Sequence, residues 1–207
     1  MKSTDIHGNY YDKYASKNPI EKFLMKNFFD TVCKLLSYTA GTEISSIVEA
    51  GCGEGHFTNF LRNAFPNATI DAFDNGPECI SKANELYSDI NVNFFEDSIY
   101  SPSCKPDSYS LACASEVFEH LENPEDALKS LENLSSDYIL ITVPNEPIWR
   151  IMNMCRFKYL KDFGNTPGHI QHWNRKTFLK MVATNSGLIP IKSLKSLPWL
   201  LFLFKKH

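Results

Sequence analysis

The stretch V48-E49-A50-G51-C52-G53-E54-G55-H56 decides the fold, because an apolar run ends on three closely spaced glycines and a helical pattern follows at once. Glycines let the backbone turn sharply and approach a ligand, and the N–H groups that open the next helix are free to bind it. A dinucleotide fingerprint needs G-x-G-x-x-G. Here the sixth position is His56 and the third glycine arrives one residue early, as G-x-G-x-G.

Outward from this loop, strand and helix patterns alternate. NPIEKFLMKNFFDTVCKLL (18–36) sets Ile20, Phe23, Leu24, Phe28, Val32, Leu35 and Leu36 at helical spacing, and G41-T42 ends it. SSIVEAG is a first strand, HFTNFLRNAF a helix stopped by Pro66, TIDAFD (69–74) a second strand, and GPECISKANELY a helix with proline in its first turn. VNFFED (92–97) and YSLACAS (109–115) are the third and fourth strands, and NPEDALKSLENL is a helix with Asn123 as its N-cap. YILITVP (138–144) is a fifth strand, 145–172 is irregular and aromatic, and RKTFLKMVATNSG is a helix with Gly187 as its stop. The chain ends in two extended runs around a turn at 196–198. Alternation of this kind predicts a mainly parallel α/β sheet covered on both faces. The short terminal connection requires an antiparallel pair.

At 207 residues and 43% apolar, the chain has the size of one domain. A net charge of −3 gives no bulk attraction to nucleic acid or anionic membranes. RIMNMCRFKYLK (150–161) gathers cations, which read as a solvated helix face. The six cysteines show no C-x-x-C, and those in apolar runs (SLACAS, TVCKLL) read as small buried hydrophobes. The first residues lack a signal-peptide core and WLLFLF is too short to span a bilayer, so a cytoplasmic location is expected.

The second strand ends on Asp74, 21 residues beyond Gly53, where a carboxylate is placed to take ribose hydroxyls. This feature suits S-adenosylmethionine (SAM) and NAD alike. The G-x-G-x-G spacing with Glu49 ahead of it resembles the first motif of class I SAM-dependent methyltransferases. That resemblance runs from about residue 40 to the C-terminus and implies a Rossmann-like sheet of seven strands with the last antiparallel. It implies cofactor contacts at Glu49, Gly51, Gly53, Gly55, Asp74, Asn75, Asp97, Ser98 and Ser115, with Asp97 facing the adenine amino group. An NAD-dependent oxidoreductase is a distant alternative. On this reading, 1–207 is a single methyltransferase domain, with 1–40 a helical cap, 41–144 the SAM-binding core, 145–174 a substrate-side insert, and 175–207 the final helix and hairpin.

S115-E116-V117-F118-E119-H120 follows the fourth strand, with Glu116, Glu119 and His120 at i, i+3 and i+4, as one helix face would group them. The string resembles the E-x-x-E-H of ubiquinone-biosynthesis O-methyltransferases and of small-RNA 3′-terminal 2′-O-methyltransferases. In those families it holds a divalent cation together with a downstream histidine. The implied metal set is Glu116, Glu119, His120 and His169, with His169 favoured over His172. Without a metal, His120 or His169 would act as general base beside Glu116. The same residues also suit the flank of a helix, and both downstream histidines suit a pocket wall.

Tyr10, Tyr11 and Tyr14 fit either a lid over the cofactor's sulfonium or surface packing. Trp149, Arg150, Met152, Phe157, Tyr159 and Trp173 would wall an acceptor site. The expected activity is O-methylation of a small-molecule acceptor. The alternatives are a small-RNA 2′-O-methyltransferase and a non-catalytic SAM-binding regulator. The sequence does not specify the oligomeric state.

Overall fold

In a computed structural model, residues 18–39, 41–157 and 159–207 are described. The strands are β1 (Ser46–Ala50), β2 (Thr69–Asp74), β3 (Asn93–Glu96), β4 (Tyr109–Ser115), β5 (Ser135–Pro144), β6 (Ile189–Ser196) and β7 (Trp199–Lys205). They form one sheet in the order β3-β2-β1-β4-β5-β7-β6. The pairs among β1 to β5 are all parallel, and β7 runs antiparallel to both β5 and β6. Strand order therefore reverses between β1 and β4, and this switch point is where an open α/β sheet leaves a crevice at its carboxyl edge.

Helices α1 (Pro19–Leu36), α2 (His56–Ala64), α3 (Pro77–Leu86), α4 (Pro124–Leu134), α5 (Ile148–Cys155) and α6 (Arg175–Asn185) connect or flank the strands. The two faces of β7 show why WLLFLF is apolar throughout. Leu200, Phe202 and Phe204 join a core with Phe118, Leu128 and Phe178, while Trp199, Leu201 and Leu203 join another with Phe28, Val32 and Leu61. A strand buried on both sides has no solvent face to alternate toward. Phe178 stacks on Phe202 at 4.7 Å between ring centroids, and Phe28 meets Trp199 at 5.1 Å. Each such ring contributes on the order of 1.5–3 kcal/mol by leaving water.

Several expectations are corrected. Residues 145–172 are not wholly irregular: they contain α5 and a 3-10 turn at Leu160–Asp162. Asn123 stands at the N-cap of α4, but its side chain accepts no capping bond. Its carbonyl instead receives the N–H groups of Asp126 and Ala127. Gly187 does not stop α6: the helix ends at Ser186, whose extended backbone (φ −146°) leaves the spiral while its N–H and hydroxyl both donate to Val182 O. Cys52, Cys79 and Cys113 are buried as small hydrophobes, but Cys33 of TVCKLL is exposed.

Two cations of 150–161 are tied down. Arg150 Nε donates to Phe163 O, and Arg156 bridges Asn153 and Glu21. No described helix is long and apolar enough to cross a membrane. Tyr10, Tyr11 and Tyr14 lie outside the described residues.

Candidate active site

Five parallel strands deliver their carboxyl ends, and the loops after them, to one edge of the sheet. On the donor side, Gly51, Gly53 and Gly55 all have positive φ. Two of them show what the loop requires. A Cβ on Gly51 would lie 2.5 Å from Val117 Cγ2, whereas one on Gly53 would meet none of the described residues within 4 Å. The loop is thus packed tightly beneath Gly51 and open at Gly53, a cradle where a ligand can approach bare backbone. The loop is fastened at both ends, since Gly51 N and Cys52 N donate to Phe73 O and Gly53 N donates to Asp74 Oδ2 at 2.9 Å.

Asp74 takes a second N–H on its other oxygen, from Gly76 at 2.9 Å, so each oxygen keeps a lone pair for a ribose hydroxyl. Asn75 beside it is exposed. Glu49 does not reach the surface. It is 1% exposed beneath the loop, where Thr58 Oγ1 donates to it at 2.5 Å. Burial, with a smaller contribution from the Asp74 charge, pushes its carboxyl up to about 8, although the Thr58 bond opposes this. Its surroundings therefore favour the neutral carboxyl.

Asp97 organises its own turn. Its carboxylate accepts from Ser98 N, Ser103 N and Ser103 Oγ, each at 2.7 Å. Burial alone would raise its pKa, but the Ser103 and Ser98 donors outweigh this and hold it below the usual range. One lone-pair direction of the carboxylate is left by these three donors. Ser98 Oγ accepts from Tyr100 N, and Ser115, closing β4, shares a 3.0 Å hydroxyl contact with Thr142 of β5. Sequence reasoning missed a clamp on this loop: Glu54 binds Lys82 at 2.6 Å and lies 3.3 Å from His56, whose Nδ1 is 2.6 Å from the Tyr87 hydroxyl. Its members come from three elements, so no local pattern signals it.

On the acceptor side the helix-face expectation for residues 116–120 is corrected. Glu116 is left-handed (φ 62°) and Phe118–His120 form a single 3-10 turn, so the i, i+3, i+4 grouping is not realised. Phe118 enters the core against Phe178. Ligand atoms of Glu119, His120 and His169 lie within 4.8 Å of one another, and Glu116 is not among them. Three of the four residues expected to hold a metal are thus brought together. Two imidazoles and one carboxylate fit a divalent ion of the zinc, iron or manganese type.

The group is built by non-local bonds. Glu119 O receives Ile170 N and Gln171 N at 2.9 and 3.0 Å. His120 Nδ1 donates to Gly168 O at 3.0 Å, which fixes the orientation of the ring. His169, 7% exposed, meets the His120 ring edge-on at 4.9 Å and lies along Trp149 at 5.7 Å. Trp149 is held in turn by Nε1 donating to Thr166 Oγ1 at 2.9 Å. Of the other expected wall residues, Phe157 is fully turned outward, whereas Trp173 packs edge-on against Phe178. Trp149 and His169 are thus packed against each other, and Trp173 against the core.

A glycine loop at the switch point of a seven-stranded sheet ordered β3-β2-β1-β4-β5-β7-β6, with β7 antiparallel, is the arrangement of class I SAM-dependent methyltransferases. Residues 23–192 match the family model described as "Methyltransferase domain", and the chain belongs to that family. Among curated relatives, malonyl-[acyl-carrier protein] O-methyltransferase of Bacillus anthracis is 30% identical over 132 residues, covering 63% of this chain and 46% of the relative. The trans-aconitate 2-methyltransferase of Mycobacterium sp. (strain KMS) is 38% identical over 58 residues, which is 28% of this chain and 21% of the relative. The match thus spans less than half of these relatives' length. Among solved structures, the plantazolicin methyltransferase BpumL in complex with SAH superposes with a TM-score of 0.71 at 17% identity, covering 92% of each chain. Magnesium protoporphyrin IX methyltransferase (ChlM) from Synechocystis PCC 6803, also with bound SAH, gives 0.67 at 14% identity, covering 93% of this chain and 89% of that one. These likenesses concern the fold.

Proposed function

We propose that the chain binds SAM on the glycine loop and directs its methyl group to an oxygen of a small-molecule acceptor over the ends of β4 and β5. The observation that carries this reading is the Glu119–His120–His169 group, built on the strand next to the cradle, with Val117 linking the two. When bound, SAM supplies an electrophilic methyl on a sulfonium. The protein's part is to hold the acceptor in line with it, a contribution made chiefly by positioning. His120 Nε2 takes the acceptor proton, its tautomer set by the Gly168 carbonyl. Glu119 and the Trp149–His169 stack hold the imidazole in place, and Glu116 shapes the turn. Residues 41–144 form the cofactor half and 145–174 the acceptor half of one domain. The B. anthracis relative's name, an O-methyltransferase, supports oxygen as the methylated atom.

A second reading follows from the same group. A divalent ion held by Glu119, His120 and His169 would polarise the acceptor oxygen and lower its pKa. One experiment separates the two readings: methyl transfer from labelled SAM to catechol, sugar and RNA acceptors, with and without chelator. Transfer to a catechol or sugar that survives chelation supports the base reading, and loss on chelation with recovery on adding Mn²⁺ or Zn²⁺ supports the metal. Transfer to RNA alone rejects the small-molecule acceptor. SAM binding with no transfer to any acceptor would assign a non-catalytic binding role.

A further inference from the structure

Glu146 has no part in the chemistry above, yet its environment calls for one. It follows β5 and precedes α5, pinned by its own N–H to Trp173 O at 2.8 Å and by Asn145 N to Pro198 O at 2.9 Å. The residue is 8% exposed, and among the described residues its carboxylate oxygens meet only a loose approach from the Arg150 backbone N–H in the first turn of α5, short of a well-formed hydrogen bond. Buried polar groups are nearly always satisfied, and one that is not requires an explanation. The nearest charge partner is His172, whose Nδ1 lies 3.8 Å from Oε1 and whose side chain is 40% exposed. Burial pushes the Glu146 carboxyl up, while His172 and then Arg150 of α5 pull it down. The same segment leaves a second buried polar atom unmet, the Trp173 Nε1–H.

The location is on the acceptor side. Residues 170 and 171 are bonded to Glu119 O, Trp173 O holds Glu146, and Trp149, three residues after Glu146, lies along His169. One short segment therefore ties Glu146 to the imidazole pair. We propose that Glu146 and His172 form a second acceptor contact, which binds a hydrogen-bond donor of the acceptor, an ammonium or a hydroxyl, apart from the oxygen that is methylated. The proposal rests on the acceptor lying over β4 and β5, and it narrows the substrate class to molecules with two polar ends. Glu146 holds the donor from the buried side, and His172, half in solvent, closes over it. The structural alternative is that the carboxylate serves only as a charge beside the first turn of α5.

The full chain, loaded with SAH, tests this. Glu146→Gln keeps the side chain's shape and removes its charge. A carboxylate kept for a ligand predicts a melting temperature that is unchanged or higher in this variant, since groups retained for function often cost stability. A carboxylate that serves α5 predicts a lower one. The probes are tyramine, tyrosol and 4-ethylphenol at millimolar concentration, followed through the His172 ring protons by NMR and assigned with His172→Gln. Tyramine and tyrosol should shift these signals and 4-ethylphenol should not. Glu146→Gln should weaken the tyramine response about tenfold, the loss expected of a charge-assisted bond. A lowered melting temperature, an equal response to all three probes, or no response to any, overturns the second contact. SAH binding in the same samples reports on the transferase reading separately: failure to bind SAH defeats that reading, whereas a chain that binds SAH but not the probes defeats only this one.

Discussion

Replacing Glu49 with Gln should alter how stability depends on pH while leaving the fold intact. The carboxyl lies beneath the glycine loop and is raised from 4.5 to about 8, chiefly by burial. In the unfolded chain it ionises near 4.5, so between these values ionisation favours the unfolded state. The stabilising contribution of neutral Glu49 is complete below pH 4.5. It declines as pH rises toward 8, and it levels off once the folded carboxyl ionises too. A rise of about 3.5 pH units at 1.36 kcal/mol each sets a ceiling of about 5 kcal/mol. Relaxation around a buried charge reduces the observable part to roughly 2–3 kcal/mol. Gln still offers Thr58 an acceptor and cannot ionise, so its own curve lacks this decline. Urea unfolding of both proteins at intervals from pH 4.5 to 8.5 gives the difference directly. Wild type should lose about 2–3 kcal/mol relative to the variant across that range. A flat difference, or one that rises with pH, refutes the reasoning.

Other outcomes follow from the site. Asp74→Ala leaves Gly53 N and Gly76 N without their acceptor and should weaken SAH binding by at least about tenfold in calorimetry. Gly53→Val, which fills the open side of the cradle, should do the same. His120→Ala should reduce turnover about 10²- to 10⁴-fold with SAH affinity unchanged, and equal losses in both would make the residue structural. Gly51→Ala should cost about 2–4 kcal/mol, part from its positive φ and part from the Val117 clash. Adding Val117→Ala should restore only the second part in a denaturation double-mutant cycle. Phe178→Ala should cost about 3–5 kcal/mol, since it opens a cavity against Phe118 and Phe202.

The elements legible in the sequence are those whose boundaries are chemical. TIDAFD and YSLACAS match β2 and β4 residue for residue, because an apolar run sits between turn-forming neighbours in each case. The antiparallel pairing of β6 and β7 followed from two extended runs too closely linked to run parallel, and the insertion of the last strand from the methyltransferase resemblance. Helix α5 was hidden because it follows Pro147, has no side-chain cap and lasts only eight residues. The turn after β4 was misjudged because nothing marks Glu116 as left-handed, a conformation seldom adopted without glycine. At the site, the glycine loop and Asp74 could be read locally. The His120–His169 contact was anticipated through resemblance, while Glu146 owes its significance to His172, 26 positions downstream. Local spacing carries no record of such pairings.

Val117 has a further consequence. Its side chain occupies the space beneath Gly51, so the turn that carries His120 rests directly on the glycine loop. If donor and acceptor bind as proposed, the gap between them is set by the thickness of one isopropyl group, which acts as a shim between two loops. Relatives with alanine or isoleucine at this position would hold donor and acceptor at different separations without any change to the groups that do the chemistry. Acceptor size could drift through evolution by exchange of this one spacer.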